Sequence, residues 1–289
     1  MASEKVKFRL QGHEKFPLRE GWLNKGLEAL KNDKYVFSNG EATDVLGIGS
    51  NMVKSLRFWM KAFKLIDDRN SKEGIKLSEL GKTIYKNDKY LEKDFTLWLL
   101  QSQIVKNPDI ATSWFLYFNR CDSVNLTKEQ IFSILKRELT EYTNGEKFSD
   151  KSLQNDIDVI VNMYSKDSKV EDPEEKNVSP FVHLGLVKKT DDGFEKTHPD
   201  IRKLSEWNVL YELSELMRER DQISIDEAFN TDNGIIKIYQ ITAVQANEYL
   251  DMLESMGYIR VNRTAGLDMI YKINDEIKPE NIIRDYYAQ

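Results

Sequence analysis

Three times along the chain an apolar helical stretch meets a strand-like segment through a short junction: Phe63-Lys64-Leu65-Ile66, Leu184-Gly185-Leu186-Val187 and Met256-Gly257-Tyr258-Ile259. Charged residues, a glycine and a second strand-like run follow each one. Gly185 and Gly257 stand where a helix ends in a left-handed residue before a strand begins. A chain repeating helix, junction and hairpin is confined to small helical units closed by a β wing. The expected class is therefore mainly α with small β wings (α+β), in tandem winged-helix-like units. The 289 residues suffice for two or three cores at roughly 100–150 residues each. The expected divisions are a basic winged-helix unit at 1–95, a central helical unit with a degenerate winged helix at 96–204, and an acidic winged-helix unit at 205–289.

Within the first unit the apolar positions Val45, Leu46, Ile48, Met52, Val53, Leu56, Trp59, Met60 and Phe63 change phase at Gly47 to Gly49. Glycine permits a tight turn there, so Glu41 to Leu77 reads as a helix-turn-helix followed by a wing. Ser50 is the expected N-cap of the second helix. Asn51, Lys54, Ser55, Arg57 and Lys61 fall on or near its outer face. Leu65-Ile66 and Ile75-Lys76-Leu77 form the expected hairpin, with Arg69 and Lys72 near its tip. These residue types contact phosphates and base edges, which points to DNA.

Charge supports the same end of the chain. Residues 1–90 hold 18 Lys+Arg against 12 Asp+Glu, or +6; the whole chain holds 42 against 48, leaving 24 against 36, or −12, for the remainder. Screening confines each field to about 10 Å in moderate salt, so one end can meet a polyanion while the other meets protein. In the last unit the recognition-helix position exposes Gln245, Asn247, Glu248, Asp251 and Glu254, a face that phosphates repel. This unit is expected to contact protein or to be a packed structural domain.

Between these ends, Phe95 to Val105, Ala111 to Asn119, Leu126 to Glu141 and Lys151 to Tyr164 have helical spacing, with Thr127 and Ser149 as expected caps. Ser165 to Pro180 reads as an exposed loop. The aromatics of 95–100 and 114–118 read as core. In the last unit, helices are expected at Trp207 to Arg218, Ser224 to Phe229 and Thr242 to Met256. No apolar run approaches the roughly 20 residues that span a bilayer, and residues 1–16 lack the apolar core of a signal peptide. The lone Cys121 forms no intrachain disulfide. The expectation is a cytoplasmic protein without membrane contact.

Catalytic signatures are nearly absent. There is no Cys-x-x-Cys pair, no His-Glu-x-x-His, no Walker loop and no dinucleotide fingerprint. Phe8 to Gly26 is the exception, dense in His, Glu, Lys, Arg and Trp. His13, Arg19 and Lys25 could grip phosphate, and His13 with Glu14 or Glu20 could activate water or hold a divalent ion. Equally, Arg19 and Trp22 could pin the chain onto its first helix. Asp88, Glu92 and Asp94 could coordinate Mg²⁺ or simply solvate a helix start.

The run Gly12-His13-x-x-Phe16-x-x-Arg19-x-x-Trp22-Leu23-x-Lys25-Gly26 is followed by Leu46-Gly47-Ile48-Gly49-x-x-Met52-Val53 and Leu77-x-x-Leu80-Gly81. Asp88-x-Tyr90-Leu91-Glu92, Thr96-Leu97-Trp98-Leu99-Leu100 and Trp114-x-x-x-Phe118-Asn119 complete the series. Together these resemble a bacterial domain-of-unknown-function family found beside phosphorothioate DNA-modification genes, especially sulfotransfer enzymes of the PAPS-reductase type. The resemblance implies a part in sulfur-based DNA modification and phage defence, with sulfur-transfer or ATPase subunits as partners. The resemblance further implies kinship with the strand-nicking component of the single-strand system, which leaves a Mg²⁺-dependent DNA nickase open. His13, Arg19, Lys25, Asp88, Glu92 and Asn119 are the polar matched positions. Where the family is expected to carry a histidine after Thr-Leu-Trp-Leu-Leu, this chain has Gln101-Ser102-Gln103.

The leading expectation is a DNA-binding subunit that uses its first unit for DNA and its last for partner enzymes. Arg19, Lys25, Ser50, Asn51, Lys54, Ser55, Arg57, Lys61, Arg69 and Lys72 are its expected contacts. A nickase using His13, Glu14, Asp88 and Glu92 with Mg²⁺, and a regulator of a defence operon, are the alternatives. A homodimer is left open, and no cofactor is required by the leading reading.

Overall fold

A computed structural model describes residues 6–38, 40–122, 125–165, 178–264 and 266–289. It is a mainly helical α+β chain with small antiparallel sheets, in two compact units, residues 1–197 and 198–289. Of the expected loop Ser165 to Pro180, residues 166–177 lie outside the described residues.

The first unit opens with α1 (Trp22–Asn32), α2 (Ala42–Leu46) and α3 (Ser50–Ala62), then a ribbon of β1 (Ile66–Asp67) and β2 (Lys76–Leu77), then α4 (Glu79–Asn87). Ile66 pairs with Leu77 in that ribbon. The amide of Ile75 donates to the carbonyl of Lys34 at 2.8 Å, so the stretch after α1 supplies one further rung. Next come α5 (Asp94–Val105), α6 (Thr112–Arg120), β3 (Asn125–Leu126), α7 (Lys128–Tyr142), α8 (Asp150–Ser165), β4 (Val187–Lys189) and β5 (Phe194–Lys196). The sheet order is β3-β5-β4. Thr127 and Gln130 form a reciprocal capping box at the start of α7, and the Ser149 hydroxyl accepts the amide of Ser152 ahead of α8.

The second unit holds α9 (Glu206–Leu216), β6 (Gln222–Ser224), α10 (Ile225–Asn230), α11 (Ile235–Tyr239), α12 (Ala243–Ser255), β7 (Ile259–Thr264), β8 (Leu267–Lys272) and α13 (Pro279–Ala288). Its sheet order, β6-β8-β7, repeats that of β3-β5-β4, with the first strand paired to the last. The short strands β3 and β6 were not expected; two or three residues carry no alternation to read.

All three junctions adopt the left-handed turn: φ is 55° at Lys64, 65° at Gly185 and 77° at Gly257. Two of the three use glycine, and the first forces a lysine into a conformation costing roughly 1 kcal/mol. Lys64→Gly should therefore raise stability by up to about 1 kcal/mol. Urea unfolding of the full chain, read as a higher midpoint at unchanged slope, checks this.

The core of the first unit centres on α5, where every residue from Phe95 to Val105 is buried. Trp59, Trp98, Trp114, Phe63, Phe118, Tyr164 and Phe181 fill the surrounding space, so the aromatic runs at 95–100 and 114–118 are packing elements. Gln101, Ser102 and Gln103 lie inside this helix, and Gln101 accepts a hydrogen bond from the Tyr164 hydroxyl at 2.5 Å. Their position is interior rather than solvent-facing.

Candidate nucleic-acid interface

Helices α2 and α3 are joined by a turn in which Gly47 has φ 63° and Gly49 caps α3 through its backbone alone. Ser50 is the first helical residue rather than the cap. Val53, Leu56, Trp59, Met60 and Phe63 face inward. Opposite them, Asn51 and Lys54 are exposed and joined by a 3.4 Å hydrogen bond. Arg57 and Lys61 continue the row and share a single carboxylate, Asp68, at 3.3 and 3.0 Å. One anion between two cations leaves a positive surplus and holds both heads on one side of the helix. Lys25 is exposed nearby, donating to the carbonyl of Leu46 at the end of α2.

Two expected contacts are placed differently. Ser55 is fully buried and its hydroxyl donates to the carbonyl of Phe16, so it ties the N-terminal segment to α3 and cannot reach a base edge. Its spacing put it beside Lys54, but Phe16 covers that side of the helix. Arg69 is exposed at the ribbon yet grips Asp67 bidentately. That hydrogen bonding holds the Asp67 carboxyl well below the usual carboxylate range, so the pair stays charged and internally neutral at physiological pH. Lys72, in the 3-10 turn Ser71–Glu73, is exposed.

The N-terminal segment is drawn inward. His13 is fully buried between Trp59, stacked at 6.0 Å, and the edge-on rings of Phe58 and Trp114. The Lys15 amide donates to Nδ1 at 3.1 Å, which leaves the proton on Nε2 for donation to Asp156 at 2.8 Å. Asp156 on α8 also accepts from the Gln11 amide at 2.7 Å and the Ser113 hydroxyl at 2.6 Å. Arg19 lies over the rings of Phe16 and Trp22, as expected of a residue pinning the chain to α1. Glu14 and Glu20 are not among the hydrogen-bond partners of His13.

Asp88 is buried as well. Its carboxylate accepts the amides of Glu92 and Lys93 at 2.9 and 3.1 Å and the Thr96 hydroxyl at 2.5 Å. It caps the start of α5, whose own N-cap, Lys93, supplies no side-chain cap hydrogen bond. Glu92 is exposed. Buried Asn119 spends its amide on the carbonyls of Phe115 and Val105. Among the described residues no three His, Cys, Asp or Glu side chains come together as a metal-ion site. Of the four residues expected for a nickase, His13 and Asp88 are thus turned to hydrogen bonds within the chain.

A further group of cations converges, and of these only Arg69 was singled out from sequence. Lys31, Lys34, Lys76, Lys82, Lys86 and Arg69 line an open cleft of about 890 Å³ between the end of α1, the ribbon and α4. The available signal was Lys82 and Lys86 one helical turn apart, on a helix that the apolar pattern did not reveal.

A family model described as "Protein of unknown function (DUF4007)" matches residues 10–287. No curated protein matches the chain. Two solved structures share the fold. A crystal structure of SspB superposes with a TM-score of 0.85 at 22% identity, over 99% of this chain and 89% of that one. A magnesium ion-bound crystal structure of SspB gives 0.84 at 22% identity, over 98% and 89%.

Proposed function

Given that this chain belongs to the DUF4007 family, we propose that it is a DNA-binding subunit of a phosphorothioate-type DNA-modification system. The chain's resemblance to a family found beside phosphorothioate DNA-modification genes and the fold shared with SspB support that setting. Duplex DNA is held by the outer face of α3, in a helix-turn-helix whose ribbon serves as the wing. The observation that carries this reading is the row Asn51, Lys54, Arg57 and Lys61, polar and accessible along one face of a helix whose opposite face is the core. Lys54, Arg57 and Lys61 supply phosphate contacts, Lys25 and Lys72 flank them, and Asn51 is placed for a base edge. The second unit docks partner enzymes: on α12 and its C-cap Met256, exposed Glu248 and Asp251, the latter paired with Arg263 at 2.8 Å, stand with the exposed apolar side chains Val244, Met252 and Met256. That surface disfavours phosphate and suits protein.

The test is binding of a short duplex by the full chain and by a Lys54→Ala, Arg57→Ala, Lys61→Ala triple variant. Loss of two to three phosphate contacts should weaken binding by about tenfold or more at low salt. A folded variant with unchanged affinity removes α3 as the site. Footprints without a preferred palindromic operator are expected; a single protected operator favours a regulator instead.

A further inference from the structure

The lysine-lined cleft between α1, the ribbon and α4 is a surface separate from the α3 face. Two of its cations are answered within the chain: Arg69 by Asp67, and Lys82 by Glu79 at 2.6 Å. Lys31, Lys34, Lys76 and Lys86 are in no ion pair among the described residues. Four like charges around one concavity repel one another and lower the cost of admitting an anion.

Leu30, Ile75 and Leu77 line the cleft together with the lysines, so it offers apolar contact as well as charge. It also continues. A second depression of about 350 Å³ shares Tyr85 and Lys86 with the first and runs past Lys89 to Tyr90. Tyr90 is 62% exposed with the Lys89 ammonium 5.0 Å from its ring centre. Next to Lys34, Tyr35 is 37% exposed with the Lys34 ammonium at the same 5.0 Å. Large aromatic rings left in water beside cations are the elements on which unpaired bases stack while their phosphates meet lysine.

We propose that this track binds a single strand of nucleic acid, its phosphates on Lys31, Lys34, Lys76 and Lys86 and unpaired bases against Tyr90 and Tyr35. A duplex hides its base faces and has no use for exposed tyrosines in a concave groove. A mononucleotide would fill only the larger depression, whereas the two continuous depressions suit an extended strand.

The experiment is fluorescence anisotropy of the full chain with a labelled oligothymidylate of about twelve nucleotides, within the roughly 4–16 nucleotides a single-strand site covers. A Lys31→Gln, Lys76→Gln, Lys86→Gln variant should bind it about tenfold or more weakly and with a flatter salt dependence. Tyr90→Ala should weaken it about fivefold or more, as loss of one stacked base predicts, with the salt dependence retained. The α3 triple variant should keep single-strand binding, so failure of the duplex reading and failure of this one are separable. Unchanged single-strand affinity in folded cleft variants overturns the proposal. Displacement of the oligonucleotide by ATP at lower concentration than by unlabelled oligothymidylate also overturns it.

Discussion

Asp156→Ala should destabilise the first unit by on the order of 3–5 kcal/mol, because each buried donor left without an acceptor costs about 1–3 kcal/mol. Asp156 is 2% exposed and receives the His13 imidazole, the Ser113 hydroxyl and the Gln11 amide. The segment it restrains is strained: Gln11, Glu14 and Lys15 have φ of 56°, 49° and 67°. Such residues hold their conformation only where the surroundings dictate it, at of order 1 kcal/mol or more each. Removal of the carboxylate should therefore release residues 9–16 along with the hydrogen bonds. Ser113→Ala, which deletes one donor and leaves the other two satisfied, should cost only about 1 kcal/mol. Urea unfolding followed by tryptophan fluorescence reads both, since Trp22, Trp59, Trp98 and Trp114 all belong to this unit. Equal, small effects of the two substitutions would show that Asp156 does not organise the segment.

Gly81→Ala should be nearly as damaging, by roughly 2–3 kcal/mol, through overpacking against backbone that cannot move aside. An added Cβ would press into the Leu65 carbonyl oxygen, with the carbonyl carbon only 3.1 Å away. That carbonyl accepts the Ser78 amide at 2.9 Å, while the Ser78 hydroxyl donates to the Lys64 carbonyl at 2.7 Å and accepts from the Gly81 amide at 3.0 Å. The start of α4 is thus seated on the left-handed junction at Lys64, with no space for a methyl group. Displacing α4 moves Lys82 and Lys86, so Gly81→Ala should also weaken single-strand binding. A folded variant of full stability would show that the seat is loose.

Apolar period and glycine placement carried the fold class, the junctions and most helices into view. The capping residues Thr127 and Ser149 were legible because hydroxyls before helical runs have one dominant local use. What escaped depended on partners distant in sequence. Ser55 looked exposed because helical spacing cannot show that Phe16 returns to cover it. His13 and Asp88 looked reactive by residue type, yet each is consumed by buried hydrogen bonds, one to a carboxylate 143 positions away. The basic cleft escaped for the same reason, since its lysines come from α1, the ribbon and α4 and meet only in three dimensions. The row Asn51, Lys54, Arg57 and Lys61 was legible because it lies on one helix, although its sharing of Asp68 was not.

The salt dependence of duplex binding tests the α3 assignment most directly, because each neutralised phosphate adds about 0.9 to the slope of log K against log salt. With Lys54, Arg57 and Lys61 on phosphates, and Asp68 offsetting part of that charge, the triple alanine variant should lose about 2 from the slope of the unmodified chain. Identical slopes in the two folded proteins would contradict the account and place the DNA elsewhere on the molecule.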